Sequence, residues 1–180
     1  GTTEIAFIVS GGAAVSKSVK IAGDHLNEDI MEYVKEKHNL LIGEKTAEDL
    51  KVNTISMPDK NAAFEIRGRE LGVGLPKSIK IVAQEIDSAI DKNIDLIIDE
   101  IKLTMEEIEP EVAADIYETG IYLSGGGAGI RILKEKIEKQ LKLKVTVSDD
   151  AIHAVVNGIA VVLDDFDRYK NIIISPTMEY

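Results

Sequence analysis

Apolar and polar positions along this chain switch between two periods, one suited to strands and one to helices. Residues 4–10, EIAFIVS, and 13–21, AAVSKSVKI, alternate as strands do, and Gly11-Gly12 between them predicts a tight hairpin turn. Val15, Val19 and Ile21 fall on one face. Gly23-Asp24 then marks a helix start with Asp24 as its expected cap, and Leu26, Ile30, Tyr33 and Val34 give the helix a buried side up to about residue 38. NLLIGEK predicts a loop. Thr46 and Asp49 together resemble a capping box for a second helix, after which residues 52–63, with Pro58, read as irregular. FEIRGRE at 64–70 and KSIKIVA at 77–83 predict paired strands joined through GVGLP.

The second half is dominated by a long amphipathic helix, in which Ile86, Ile90, Ile94, Ile97, Ile101, Met105 and Ile108 recur at spacings of three and four. Pro110 ends it and opens a short helix, PEVAADIYE, because proline fits a first helical turn. IYLSGGGAG is a strand running into glycines, and Ile130, Leu133, Ile137 and Leu141 mark the helix behind it. KVTVSD predicts another strand and DAIHAVVNGIAVVLDDF a final helix, while the tail NIIISPTMEY has no clear partner. Strands and helices alternate at both ends around a more irregular stretch. The expectation is an α/β fold with a larger subdomain over 1–23 and 84–180 and a smaller inserted α+β subdomain over 24–83.

Composition narrows the function. A chain of 180 residues, 44% hydrophobic and 29% charged, has ample material for a packed interior. Its 32 acidic residues exceed the 21 basic ones, and a net charge of -11 repels a phosphate backbone, which argues against nucleic-acid partners. A single nucleotide remains compatible, since backbone N–H groups hold phosphate locally. With no cysteine there is no disulfide framework, and a cytoplasmic location is expected. His25, His38 and His153 lie far apart without metal-type spacing, so no metal-ligating residues are assigned. No stretch approaches the about 18 apolar residues of a spanning helix, and no signal peptide opens the chain. Gly1-Thr2-Thr3-Glu4, leading straight into a strand without Met, looks like a cut within a longer polypeptide.

Three local patterns carry candidate chemistry. Ser124-Gly125-Gly126-Gly127-Ala128-Gly129 sits between a strand and a helix, where glycines let a ligand approach the backbone. The dinucleotide fingerprint fails here, because counting from Gly125 or Gly127 puts Ile130 or Ile132 at its last position. No G-K-[ST] occurs, which excludes a P-loop. A packing turn is the competing reading. Glu48 and Lys51 share a helix face; the carboxylate can accept from ribose hydroxyls or an exocyclic amine, and the Lys stem can cover a base, but a surface ion pair has the same spacing. Thr2 and Thr3 offer hydroxyls to a phosphate or a water, or are ordinary strand residues.

Taken in order, these pieces resemble the actin superfamily. GTTEIAFIVSGGAAVSKSVKIAGDHLNEDI is similar to its element of glycine, two threonines, hairpin and Gly-Asp helix start. LIGEKTAEDLK looks like the MreB stretch whose Glu-x-x-Lys grips adenosine. GVGLPKSIKI, PEVAADIYETGIYLSGGGAGIRILKEKI and VTVSDDAIHAVVNGIA follow in the order MreB proteins use, so the resemblance spans nearly the whole chain. It implies the actin-like, ribonuclease H-like ATPase fold. It also implies that Gly1, Thr2 and Thr3 end the second phosphate loop, with Thr2 positioning the attacking water as the catalytic candidate. Glu48 and Lys51 would face adenosine, and Gly125, Gly126, Gly127, Ala128 and Gly129 would wrap the nucleotide from the other side, Gly126 and Gly127 closest. Gly23 and Asp24 match a helix start near the cleft and are carried as structural.

Two departures stand out. Val52-Asn53-Thr54-Ile55 replaces the usual His-Glu-Ile-Gly type run after the lysine, and Ala128-Gly129-Ile130 replaces Ala-Leu-Leu. The resemblance also implies that the first phosphate loop, the catalytic glutamate and the aspartate before the second loop lie in an N-terminal half upstream of Gly1. The expected function is therefore the C-terminal half of a cytoskeletal ATPase that binds ATP or ADP with Mg²⁺, forms filaments and organises cell shape at the inner membrane face, with membrane morphogenesis proteins as partners. The alternatives are an actin-like filament for plasmid or organelle positioning, a chaperone-type ATPase lobe, or a non-catalytic domain that keeps the fold without nucleotide.

Overall fold

The computed structural model describes residues 1–9, 12–56 and 59–170. It opens with the expected hairpin: β1 (Thr3–Val9) runs antiparallel to β2 (Gly12–Val19), Thr3 facing Val19, with a register shift between Phe7 and Ile8. The turn expected at Gly11-Gly12 falls partly outside the described residues, and Gly12 itself pairs with Val9. Lys17 anchors the hairpin through an ion pair of 2.7 Å to Glu100 on the long helix.

Helix α1 (Gly23–His38) buries Leu26, Ile30 and Val34 as its periodicity requires, with Tyr33 half-buried. Asp24 does not cap it. Ala22 holds the cap position without a side-chain hydrogen bond, and the Asp24 carboxylate instead meets the Gly1 nitrogen at 2.7 Å. The loop expected over NLLIGEK contains a short strand, β3 (Leu40–Leu41), paired with β4 (Ala63–Glu70) at Glu70 and Arg69. Helix α2 (Glu44–Ser56) begins before Thr46, whose N–H donates to the Gly43 carbonyl at 3.0 Å, so Thr46 lies inside the first turn and the capping-box reading is corrected. The same helix continues through Val52, Asn53, Thr54 and Ile55, where an irregular stretch was expected. These are modest helix formers, but Leu50 and Thr54 are buried and Ile55 packs on the core, and tertiary burial overrides local propensity. Pro58 lies outside the described residues.

Strand β4 is the centre of a three-stranded antiparallel sheet, β3-β4-β5, with β5 spanning Pro76–Val82. Helix α3 (Ala83–Met105) follows as the spine of the molecule, burying Ile86, Ile90, Ile94, Ile97, Ile98 and Ile101. Each fully buried isoleucine contributes about 1.5–3 kcal/mol of transfer free energy, which explains why one amphipathic helix organises so much of the fold. Then come α4 (Pro110–Thr119), β6 (Ile121–Leu123), a single 3-10 turn over Gly126–Gly129, α5 (Arg131–Leu141) and β7 (Val145–Val147). Strands β6 and β7 are parallel, as a strand–helix–strand unit requires. One core cluster joins α1, α2, β4, β5, α3, α5 and β7, from Leu26 to Val145.

The final helix is shorter than its sequence pattern. It forms α6 (Ala154–Asp164) and a one-turn α7 (Phe166–Tyr169), and no residue of α6 is buried. Val155, Ile159 and Leu163 are exposed. The tail at 171–180 falls outside the described residues, and among the described residues no helix is long and apolar enough to cross a membrane.

Candidate functional site

Helix α2 turns one face toward the start of α1. Lys51, only 7% exposed, donates from Nζ to Glu48 Oε2 at 2.7 Å and to the Gly23 carbonyl at 3.0 Å. Asn27, 3% exposed, donates from Nδ2 to the same Glu48 oxygen at 2.8 Å. The lysine is therefore buried and anchored at both its partners, and a surface ion pair is the wrong description of it. Lys51 and then Asn27 hold the Glu48 carboxyl below the ordinary carboxylate range by hydrogen-bonding its charged form. Among the described residues, the second Glu48 oxygen, Oε1, has no partner, so it is left to accept from a ligand. With two of its three protons committed, the Lys51 ammonium offers mainly its apolar stem.

The N-terminal segment reaches the same place. Gly1 lies against Asp24 and Ala22 at the beginning of α1, one residue from the carbonyl that holds Lys51. Thr2 is exposed ahead of β1, whereas the Thr3 hydroxyl is committed to the Ile21 carbonyl at 2.6 Å. Among the described residues the Thr2 hydroxyl has no partner, and Thr3 acts as a brace.

The glycine turn packs on α2 at Ile55, and its residues divide by role. Gly125 has φ 82° and ψ 175°, a region only glycine occupies readily, and its N–H donates to the Ala151 carbonyl at 2.7 Å. A side chain at Gly129 would stand 2.7 Å from Ile55 Cγ2, so this glycine is needed for the turn to pack on α2. Ala128 is 3% exposed and turns its methyl inward. Gly125, Gly126 and Gly127 all face open space, with nothing within 4 Å of where a Cβ would stand, but of the three only Gly125 has a positive φ. The backbone N–H groups of Gly126 and Gly127 have no partner among the described residues. The turn is both a packing device and an open backbone surface, and the two readings of it apply to different glycines.

Ile55 is one helical turn beyond Lys51, so α2 carries the Glu48–Lys51 pair and touches the glycine turn, while the N-terminal segment meets it only through the start of α1 at Gly23. A small pocket beside Lys51 is lined by Thr54, Ile55, Ile130 and Arg131 together with Ile86, Asp87 and Ile90 of α3. Its base is a second ion pair, Asp87 with Arg131, both side chains under 20% exposed. Burial pushes the Asp87 carboxyl above its ordinary value even though the Arg131 guanidinium works the other way. Neither Asn27 nor this pair was foreseen. Asn27 carried a signal, a polar residue beside the apolar stripe of Leu26, Ile30 and Val34, whereas Asp87 and Arg131 are 44 positions apart and carried none. Among the described residues, no group of three His, Cys, Asp or Glu side chains is placed to hold a metal ion.

The chain is similar to known proteins along nearly its whole length. The family described as MreB/Mbl protein matches residues 1–171. The cell shape-determining protein Mbl of Bacillus cereus is 37% identical over 170 residues, covering 93% of this chain and 51% of that protein. The cell shape-determining protein MreB of Escherichia coli is 34% identical over 171 residues, 94% of this chain and 49% of that one. The chain thus spans about half the length of these relatives. A crystal structure of MreB 5 of Spiroplasma citri bound to AMPPNP superposes with a TM-score of 0.88 at 33% identity, covering 95% of this chain and 52% of that one. A MamK double helical filament, at 21% identity and a TM-score of 0.75, shares the fold.

Proposed function

The chain belongs to the MreB/Mbl family and has its actin-like α/β fold, and from that premise we propose that it supplies one half of an adenine-nucleotide cleft in a filament-forming ATPase. Likeness to an MreB 5 bound to AMPPNP, and to a second MreB5 crystal structure bound to ADP at a TM-score of 0.87, supports the ligand class. The single observation that carries the reading is the convergence on α2: the helix carries the anchored Glu48–Lys51 pair, and the glycine turn with its open Gly126–Gly127 backbone packs on it where Gly129 meets Ile55.

In this reading Glu48 Oε1 accepts from a ribose hydroxyl and the Lys51 stem lies against the base. Gly126 and Gly127 let the nucleotide approach the backbone, with Gly125, Ala128 and Gly129 fixing the shape of the turn. Gly1, Thr2 and Thr3 end a phosphate loop in which the Thr2 hydroxyl orients the attacking water. Mg²⁺ bound with ATP supplies charge neutralisation on the phosphates; the described residues offer it no carboxylate cluster, so the phosphates and the other half of the intact protein would hold it. The smaller subdomain, 24–83, carries the adenosine wall, and the larger, 1–23 and 84–180, carries the phosphate loop and glycine turn. The family's cell-shape role supports assembly of the intact protein into filaments at the inner membrane face, in contact with morphogenesis proteins there.

Titrating the intact protein with a fluorescent ATP analogue, and pelleting it with and without ATP, tests the proposal. Saturable binding competed by ADP together with ATP-dependent pelleting is expected. A folded intact protein that binds no adenine nucleotide would make this a non-catalytic actin-fold domain.

A further inference from the structure

Strand β4 is paired along its whole length on one side only. Toward β5 the pairing runs from Ala63–Val82 to Arg69–Pro76, but toward β3 it is confined to Arg69 and Glu70. The alternation of an antiparallel ladder fixes which backbone groups face which side. Glu70 N–H donates to the Leu75 carbonyl, so Glu70, Gly68, Ile66 and Phe64 direct their backbone groups to β5. Leu71 N–H donates to the Asn39 carbonyl, so Arg69, Arg67, Glu65 and Ala63 direct theirs to the other edge. Only Arg69 meets β3 there. The N–H and C=O groups of Ala63, Glu65 and Arg67 have no strand partner among the described residues.

Where β3 would continue, the chain instead turns into α2, which runs beside this edge without closing on it. Between them lies a groove of about 670 Å³. One wall is the β4 edge from Ala63 to Arg67, the other is the α2 face carrying Thr46, Asp49, Leu50 and Asn53. Leu50 and Ile66 are buried and give it an apolar floor, whereas Asp49 and Glu65 are exposed. This face of α2 is distinct from the one carrying Glu48 and Lys51. A row of unpaired strand groups beside a groove is the arrangement that accepts an extended chain by strand addition.

We propose that this groove binds an extended basic peptide segment of a partner protein, added to β4 as a strand in line with β3. The backbone groups of Ala63, Glu65 and Arg67 supply the ladder. Apolar side chains on one face of the added strand would pack beside Phe64 and Ile66, and basic ones on the other would lie near Glu65 and Asp49. Glu65 lies 4.0 Å from Arg67, which leaves Asp49 as the groove's uncompensated acid, and in a chain of net charge -11 this favours a basic segment over a second acidic copy of this chain.

The test uses the intact protein and a fluorescein-labelled Lys-Val-Lys-Val-Lys peptide, about 17 Å when extended and so matched to the open edge. Anisotropy should report saturable binding that Asp49→Lys weakens at least about tenfold. Methylating the backbone nitrogens of the first, third and fifth peptide residues, or of the second and fourth, should abolish binding in one set and spare it in the other. Arg67→Pro removes an edge donor without touching the β5 ladder and should also abolish binding; if that variant does not fold, the methylated peptides and Asp49→Lys decide alone. Absent binding overturns the proposal, as does binding indifferent to methylation, which would be attraction between opposite charges only. Concentration-dependent dimerisation lost in Asp49→Lys, without peptide binding, overturns it in favour of a second copy. None of these readouts depends on nucleotide, so the cleft proposal stands or falls separately.

Discussion

The two walls that meet at Ile55 are built by opposite means. On the α2 side, side chains make the surface: Lys51 is buried, Glu48 is held by Lys51 and Asn27, and one carboxylate oxygen is left outward. On the glycine-turn side the useful surface has no side chain at all, because Gly126 and Gly127 present bare backbone and Ala128 points inward. A wall of side chains can lose one contact and keep its shape. A wall of backbone loses its function to any added carbon, while its fold need not notice.

That contrast is sharpest at Gly126. In the intact protein Gly126→Val should cut nucleotide affinity at least about a hundredfold, or about 2.8 kcal/mol, because the branched side chain fills the space the ligand needs. Since Gly126 lies outside the left-handed region and its Cβ meets nothing within 4 Å, the melting temperature should move by less than about 2 °C. Normal ATP binding by this variant would reduce the whole turn to packing.

Gly125→Ala should do the reverse. Its φ of 82° with ψ of 175° costs any L-residue about 1–3 kcal/mol, which chemical denaturation will read as lost stability. If Gly125→Ala is stable while Gly126→Val is not, the division of roles within the turn is wrong.

On the other wall, Lys51→Ala should weaken nucleotide binding about tenfold and leave kcat nearly unchanged, since contact with the base does not change during chemistry. A fall in kcat with unchanged affinity would place Lys51 at the reacting phosphate instead.

The smallest effect separates the two ion pairs. Glu48 titrates below the usual carboxylate range of about 4.3 because its charged form is hydrogen-bonded; its contribution to stability is present above that range and is lost as pH falls through its lowered value. Asp87 titrates above its ordinary value of about 3.9 because burial penalises the charge, so acidification relieves that cost. Carbon-detected NMR titration should find Asp87 titrating above the ordinary aspartate value and Glu48 below the ordinary glutamate value, and shifts of the opposite sign would invert the electrostatics described for the two walls.

The regular elements were legible wherever one period persisted. The isoleucines of α3 announced a buried helix and were found buried, and β1, β2, β4 and β5 fell within a residue or two of their alternating runs. Local signals misled where a neighbour decided the outcome. Thr46 looked like a cap, but α2 starts earlier; residues 52–56 looked irregular, but Leu50, Thr54 and Ile55 are drawn into the core and carry the helix onward. The two-residue strand β3 is too short to show any period. Helix α6 is apolar at most of its positions, which by pattern alone means burial, yet none of its residues is buried.

What the sequence determined by itself was the order of motifs and the periods between them, because both depend on near neighbours along the chain; that order was enough to mark the actin-like family and to single out Glu48, Lys51 and the glycine run. Tertiary structure alone decided that Lys51 is buried and tied to Gly23, that Asn27 fixes Glu48 and that Asp87 reaches Arg131. It also decided that Gly125 supplies the conformation, Gly129 the packing and Gly126 and Gly127 the opening. In a run of like residues nothing local distinguishes them. Their roles come from what lies opposite each Cα, and that is set by how α2 and the turn pack against one another.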